Sequence, residues 1–360
     1  PGKFTKKNLC RKKMNLKILS FLILLFLMIL SQRWSEDDYD SNSSSCPSQP
    51  LPFNIPKHEY WAHIATALED LISQEIPSQE YDLLEEEFIR PQGQECLAAK
   101  HLHNQFKNRY SNILPYENHR VRIIRDTGVE DEDDYINASF LGITNQYIAS
   151  QAPTPAAFED FWLMILQEQV SVIVMLTKER EGNKIKAHPY WPVEGEETYG
   201  DVTVSLLVED MMEDFIIREF EVRGPNGQEH RTTQYQYISW PDHSVPVESN
   251  GFSQMMTFIN QRHSVTNTED HPLLVHCSAG IGRTGAFIVI HSKLNQLKEI
   301  YNQVGDKDSC DIPPISIMDN LRELRRQRHG MITRKSQYLF CYDTLLKEIQ
   351  ILANQESASM

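Results

Sequence analysis

The chain has 360 residues, 40% of them hydrophobic, enough for one large or two average domains with a substantial core; global disorder is excluded. Lys and Arg number 35 against 50 Asp and Glu, a balance of −15 that argues against a sequence-independent nucleic-acid binder, which needs a basic face for phosphates. One small anion is not excluded, because it senses only the few groups around it.

Residues 16–30 (LKILSFLILLFLMIL) form an apolar run behind Lys3, Lys6, Lys7, Arg11, Lys12 and Lys13 and ahead of Glu36, Asp37, Asp38 and Asp40. At about 1.5 Å per residue the run spans roughly 20–23 Å, short of a ~30 Å hydrocarbon core but within the length of a signal-peptide core. Two readings of the leader 1–33 stay open, a cleaved signal peptide and an uncleaved membrane anchor. Residues 34–58 are polar, with SNSSS at 41–45 and prolines at 47, 50, 52 and 56, and read as a linker. Ile64, Leu68, Leu71 and Ile72, then Tyr81, Leu84 and Phe88, have helical spacing and predict two helices.

Further along, β-rich runs predict strands over 172–176, 202–208, 215–222, 232–240 and 273–276. Helices are predicted around 158–166 and over 283–300, 315–328 and 336–352. No internal repeat is present. The expectation is one α/β catalytic domain over 59–353 with a tail from 354 to 360. The six cysteines (Cys10, Cys46, Cys96, Cys277, Cys310, Cys341) show neither CxxC nor CxxH spacing, so neither a disulfide framework nor a metal site is expected.

The chemistry concentrates at His276-Cys277-Ser278-Ala279-Gly280-Ile281-Gly282-Arg283-Thr284-Gly285. An apolar strand, Leu273-Leu274-Val275, runs into a Cys, five mostly small residues and an Arg before a buried helix resumes. Small residues let successive N–H groups turn inward at a helix N-terminus, a nest suited to a tetrahedral oxyanion. The same dipole favours thiolate on Cys277, the nucleophilic form. Arg283 offers a planar fork to two phosphate oxygens. A buried structural Cys beside a glycine turn competes with this reading, but it does not account for the Arg six residues on. Thiolate attack on a phosphate ester needs a general acid for the leaving oxygen, and Asp242 in Trp240-Pro241-Asp242-His243 offers one, with Trp240 and Pro241 stiffening its loop.

HCSAGIGRTG together with WPDH resembles the tyrosine-specific, cysteine-dependent protein tyrosine phosphatases. Lys107-Asn108-Arg109-Tyr110, Asp134-Tyr135-Ile136-Asn137-Ala138-Ser139, Ile148-Ala149-Ser150-Gln151-Ala152-Pro153, Asp160-Phe161-Trp162, Ile173-Val174-Met175-Leu176-Thr177 and Tyr190-Trp191-Pro192 follow the family's order. The resemblance covers roughly residues 60–353. It implies a central twisted mixed β-sheet flanked by helices, with a strand-loop-helix phosphate-binding loop, and hydrolysis of phosphotyrosine in partner proteins without cofactor or metal. Its shallow-pocket, dual-specificity relatives lack the element at 107–110.

The resemblance also implies roles. Tyr110 stacks on the phosphotyrosine ring and sets pocket depth, and Asn112 stands where many members have an Asp that fixes the substrate backbone. The loop residues Ser278, Ala279, Gly280, Ile281 and Gly282 hold the phosphate. Glu181 orients Arg283, and Lys186 contacts substrate or the closed Asp242 loop. Thr284 donates to the sulfur, and His276 tunes the thiolate. Ala152, Ala187 and Ser244 replace a usual Gly, Cys and Gly without evident harm. Thr333 stands where the family has a glutamine that orients the hydrolytic water, while Gln337 keeps the second glutamine. Slowed hydrolysis of the cysteinyl-phosphate is expected; the alternative is a phosphotyrosine-binding pseudophosphatase.

Localisation conflicts with this chemistry. The basic residues before the apolar run put the N-terminus in the cytoplasm and the domain outside, away from cytosolic kinase products and where a thiolate is oxidised. Asn137-Ala138-Ser139 is a glycosylation sequon inside an element that the family buries, and Asn42-Ser43-Ser44 is another in the linker. Membrane attachment through residues 16–30 is expected if the leader is kept, secretion if it is cleaved, and a cytoplasmic protein if it is not used; the side of the membrane and the oligomeric state stay open.

Overall fold

The computed structural model describes residues 55–87, 95–125, 134–241, 244–246, 249–265, 271–304, 309–310 and 313–359. In chain order these form strand β1 (Ile55–Pro56), helices α1 (Tyr60–Ser73), α2 (Ile76–Glu86) and α3 (Leu97–Lys100), and strands β2 (Arg120–Arg122), β3 (Tyr135–Leu141) and β4 (Tyr147–Ser150). Helix α4 (Phe158–Gln167) leads to strands β5 (Val172–Met175), β6 (Arg180–Glu181), β7 (Lys184–Ile185), β8 (Glu196–Tyr199), β9 (Val202–Met211), β10 (Phe215–Arg223) and β11 (Glu229–Tyr237). Helix α5 (Asn250–Val265), strand β12 (Leu273–His276), helix α6 (Gly282–Gln303), strand β13 (Ser309–Cys310) and helices α7 (Met318–Gln327) and α8 (Lys335–Ser359) complete the chain.

Among the described residues one large sheet runs in the order β2-β3-β4-β12-β5-β11-β10-β9-β8. Its middle strands β4, β12, β5 and β11 are parallel, and the flanks are antiparallel. The expected class, a central mixed sheet between helices, is the one adopted. β12 is buried along its whole length, as a strand covered on both faces must be. Leu273 and Val275 pack with Phe287 and Ile290 of α6, while Leu274 joins Trp162 of α4 on the other face, the period of two that a strand imposes. Parallel strands open a crevice beyond their carboxyl ends. β12 delivers Cys277 into it, between the ends of β4 and β5.

Helix α5 is not among the expected elements, although Phe252, Met255, Met256 and Ile259 are all buried at helical spacing. Gly251 and Ser253 dilute that signal. β3 and β4 show in the sequence as motifs rather than strands, because Asn137 and Ser139 interrupt the apolar pattern of β3, yet both are buried. The folded unit extends past its expected limits. Ile55 and Pro56 pair with Cys310 and Ser309, inside the stretch read as linker, and α8 continues to Ser359, through most of the stretch read as a tail. The leader 1–33 and the linker up to residue 54 lie outside the described residues. Among those described, no helix is long and apolar enough to cross a membrane.

Candidate active site

From His276 the chain turns through Cys277 to Ile281 and enters α6 at Gly282, where the first helical N–H groups have no intrahelical acceptor. Gly280 makes the turn possible. Its φ is +71°, and a Cβ there would lie 2.1 Å from the Ser150 carbonyl oxygen. Its N–H donates to Cys277 Sγ at 3.3 Å. Burial raises the Cys277 pKa, but the Thr284 hydroxyl and N–H, the Arg283 guanidinium and the Gly280 N–H together hold the thiol below its ordinary range. Thr284 Oγ1 is buried and otherwise without a partner.

His276 does not touch the sulfur. Gln234 Nε2 donates to Tyr190 Oη at 2.7 Å, so the Tyr190 hydroxyl donates to His276 Nε2 at 2.8 Å, leaving His276 Nδ1–H to donate to the Cys277 carbonyl at 3.1 Å. Burial pushes the imidazole pKa down to about 4, so it stays neutral and acts on the backbone of the loop.

Arg283 is held at the pocket floor by Glu181. Nη1 and Nη2 each donate to one carboxylate oxygen, the second at 3.0 Å, and Nη1 also donates to the Leu176 carbonyl at 3.1 Å. Glu181 also meets Lys186 Nζ at 3.2 Å and accepts from Thr177 Oγ1 at 3.1 Å. Among the described residues, Glu181 thus meets both Arg283 and Lys186. Nη2 reaches the Pro241 carbonyl at 3.5 Å, and the guanidinium lies 5.6 Å from the Trp240 ring. Nε–H and one weakly engaged Nη2–H remain along one edge, the edge that suits two phosphate oxygens. Trp240 is buried and donates Nε1–H to the Ser244 carbonyl at 2.9 Å. Asp242, between them, lies outside the described residues.

Tyr110 forms the side wall. Ser278 Oγ donates to the Lys186 carbonyl at 2.7 Å, so the Tyr110 hydroxyl donates to Ser278 Oγ at 2.8 Å. Asn108, Tyr135 and Asn137 fix the turn before it, with Asn108 Oδ1 accepting from Tyr135 Oη at 2.5 Å and Asn137 Nδ2 at 2.8 Å. Opposite stand Thr333, exposed, and Gln337, 8% exposed with Oε1 unpartnered. The pocket among these groups measures about 220 Å³ and is lined by Cys277, Arg283, Tyr110, Lys186, Thr333 and Gln337 among others. Ser278, Ala279, Ile281, Gly282 and Glu181 also border it; Gly280, His276, Trp240, Pro241 and Thr284 support it from behind, and Asn112 is exposed outside its lining. Among the described residues no group of three or more His, Cys, Asp or Glu is placed to hold a metal ion.

Arg328, which no sequence motif singles out, braces the back of the loop. Fully buried, it donates Nε to the Gly280 carbonyl at 2.9 Å, Nη2 to the Ala279 carbonyl at 3.3 Å and Asn137 Oδ1 at 2.9 Å, and Nη1 to Ser139 Oγ at 3.1 Å. Burial lowers its pKa to about 10. In sequence it is one Arg in a basic run at the end of α7, with no signal to separate it from a solvated charge.

A family model described as protein-tyrosine phosphatase matches residues 104–347. The chain is 36% identical over 317 residues to tyrosine-protein phosphatase non-receptor type 20 of Rattus norvegicus, covering 84% of this chain and 68% of that protein. It is 34% identical over 306 residues to receptor-type tyrosine-protein phosphatase V of Rattus norvegicus, covering 84% of this chain and 16% of the relative. To tyrosine-protein phosphatase 99A of Drosophila melanogaster it is 32% identical over 308 residues, covering 82% of this chain and 22% of the relative. The last two relatives are thus several times longer than the part this chain matches.

Proposed function

The chain belongs to the protein-tyrosine phosphatase family, and on that premise we propose that it hydrolyses phosphotyrosine in proteins through a cysteinyl-phosphate intermediate. The observation that carries this is a thiol of lowered pKa in the same 220 Å³ pocket as a guanidinium with one edge to spare. In the first step the Cys277 thiolate attacks phosphorus, the P–O bond to the tyrosine breaks, and the Asp242 carboxylic acid protonates the leaving phenol oxygen. In the second, water attacks phosphorus, the S–P bond breaks, and Asp242 takes the proton, releasing phosphate and thiolate.

Arg283 engages two phosphate oxygens through Nε and Nη2, so the Pro241 carbonyl and phosphate share one donor and the Asp242 loop is tied to phosphate binding. Tyr110 packs on the substrate ring, and the depth it sets keeps phosphoserine from reaching the sulfur. Lys186, Gln337 and the loop from Ser278 to Gly282 complete the substrate site, and Asn112 meets the peptide beyond it. Thr333 offers a short side chain where the family orients water, so the second step is the slower one.

Rapid mixing with p-nitrophenyl phosphate tests both parts. The parent is expected to release a burst of nitrophenol stoichiometric with enzyme, Thr333→Gln to lose the burst and turn over about tenfold faster, and Cys277→Ser to be inactive. Equal steady rates for parent and Thr333→Gln would remove the role of Thr333. Turnover surviving in Cys277→Ser would remove the whole mechanism. The same proposal attaches the chain to a membrane through residues 16–30, with the catalytic domain on the side where no glycan is added.

A further inference from the structure

The pocket accounts for the phosphotyrosine side chain and leaves an apolar rim beside it unexplained. Leu102 and Phe106, on the 3-10 helix Leu102–Lys107, are 79% and 77% exposed, and Ile185 at the end of β7 is 47% exposed. Single exposed apolar side chains are ordinary on a soluble protein. A group of them beside a binding pocket marks an interaction site.

The rim is continuous with the pocket wall. Phe106 stands four residues before Tyr110 and Ile185 one before Lys186, and these two lining residues meet on Ser278 Oγ. Arg109 fastens the two segments together: Nη2 donates to His188 Nδ1 at 3.0 Å and to the Pro153 carbonyl at 2.8 Å, and Nε donates to the Ala152 carbonyl at 2.9 Å. Thr154 Oγ1 donates to the Phe106 carbonyl at 2.9 Å, and the Ala152 N–H donates to the Ser278 carbonyl at 3.1 Å. The rim therefore rests on the backbone that also backs the Cys277 loop. Four extended residues reach at most about 14 Å, so a peptide held at Tyr110 meets Phe106 within that many residues of its phosphotyrosine.

Its charge points to the same occupant. Residues 101–110 and 182–189 contain no carboxylate, in a chain with 50 of them. The chain as a whole carries a balance of −15, so two copies repel one another overall. We propose that Leu102, Phe106 and Ile185 form a docking rim for an apolar side chain of the substrate protein, within about four residues of the phosphotyrosine. The proposal rests on the phosphatase reading above.

The test walks a single Leu through the four positions on either side of phosphotyrosine in an otherwise Gly/Ser peptide. At one or more positions the full chain should favour Leu over Ser by about tenfold in kcat/KM, carried by KM, the low end of what an apolar contact discriminates. Phe106→Ser and Ile185→Ser should each reduce the preference to within about threefold and leave kcat/KM for p-nitrophenyl phosphate unchanged. No Leu preference at any position, or one that survives both variants, overturns the proposal. So does a Phe106→Ser variant that changes only the sedimentation coefficient, which would assign the rim to self-association. Failure of the parent to hydrolyse p-nitrophenyl phosphate is a separate result, since it removes the phosphatase reading before any peptide is compared.

Discussion

At the scale of single residues, the reactivity of Cys277 is a balance in which burial opposes the thiolate and four donors favour it. The folded pKa is lowered, so the thiolate is present above it and lost as pH falls through it. Removing one donor raises the pKa and moves the reactive window upward. Thr284→Ala is therefore expected to slow alkylation by iodoacetate about tenfold on the acid side of the profile, one hydrogen bond to a charged group being worth about 1.5 kcal/mol, and to leave the rate unchanged at high pH. A profile that superimposes on the parent's would remove Thr284 from the thiolate's support. Cys277 and Arg283 were legible because six residues of sequence hold them in one loop, where spacing alone implies geometry. Arg328 was not: in Arg325-Arg326-Gln327-Arg328 the side chains of Arg325 and Arg328 are buried and that of Arg326 is exposed, and only the fold separates them.

At the scale of elements, the Cys277 loop is shaped by what packs behind it as much as by its own glycines. Ala279 and Gly280 turn their carbonyls to Arg328, which also ties down Asn137 and Ser139 of β3. Arg328→Met keeps the volume and leaves several buried acceptors without donors, each costing about 1–3 kcal/mol. We expect a loss of about 3 kcal/mol or more in urea unfolding, together with a fall in kcat, because the loop N–H groups lose their aim. Unfolding within 1 kcal/mol of the parent would show that water replaces the guanidinium without cost. The dependence also explains which elements the sequence disclosed. β5, β9, β10 and β12 declare themselves by unbroken or alternating apolar runs, whereas β3 carries polar groups whose partners lie far along the chain, and such pairing has no local signature.

At the scale of the whole molecule, the same buried Asn137 bears on the side of the membrane proposed for the domain. It is 1% exposed, its Nδ2 donates to Asn108 Oδ1 and the Ile113 carbonyl at 2.8 Å each, and its Oδ1 accepts from Arg328. A glycan takes the place of one Nδ2 hydrogen and needs open space, and in the lumen it is added as the chain emerges, before β3 closes. A translocated domain carrying a sugar there could not assemble the network behind the Cys277 loop. Asn42 lies outside the described residues, in the polar stretch 34–58. Expressed in mammalian cells as the full chain, the protein is expected to show no mobility change on glycosidase treatment, and neither Asn42→Gln nor Asn137→Gln should alter its migration. A shift that disappears in Asn42→Gln would place the domain in the lumen with Asn137 unmodified and overturn the proposed side, whereas a shift lost only in Asn137→Gln would contradict the burial itself.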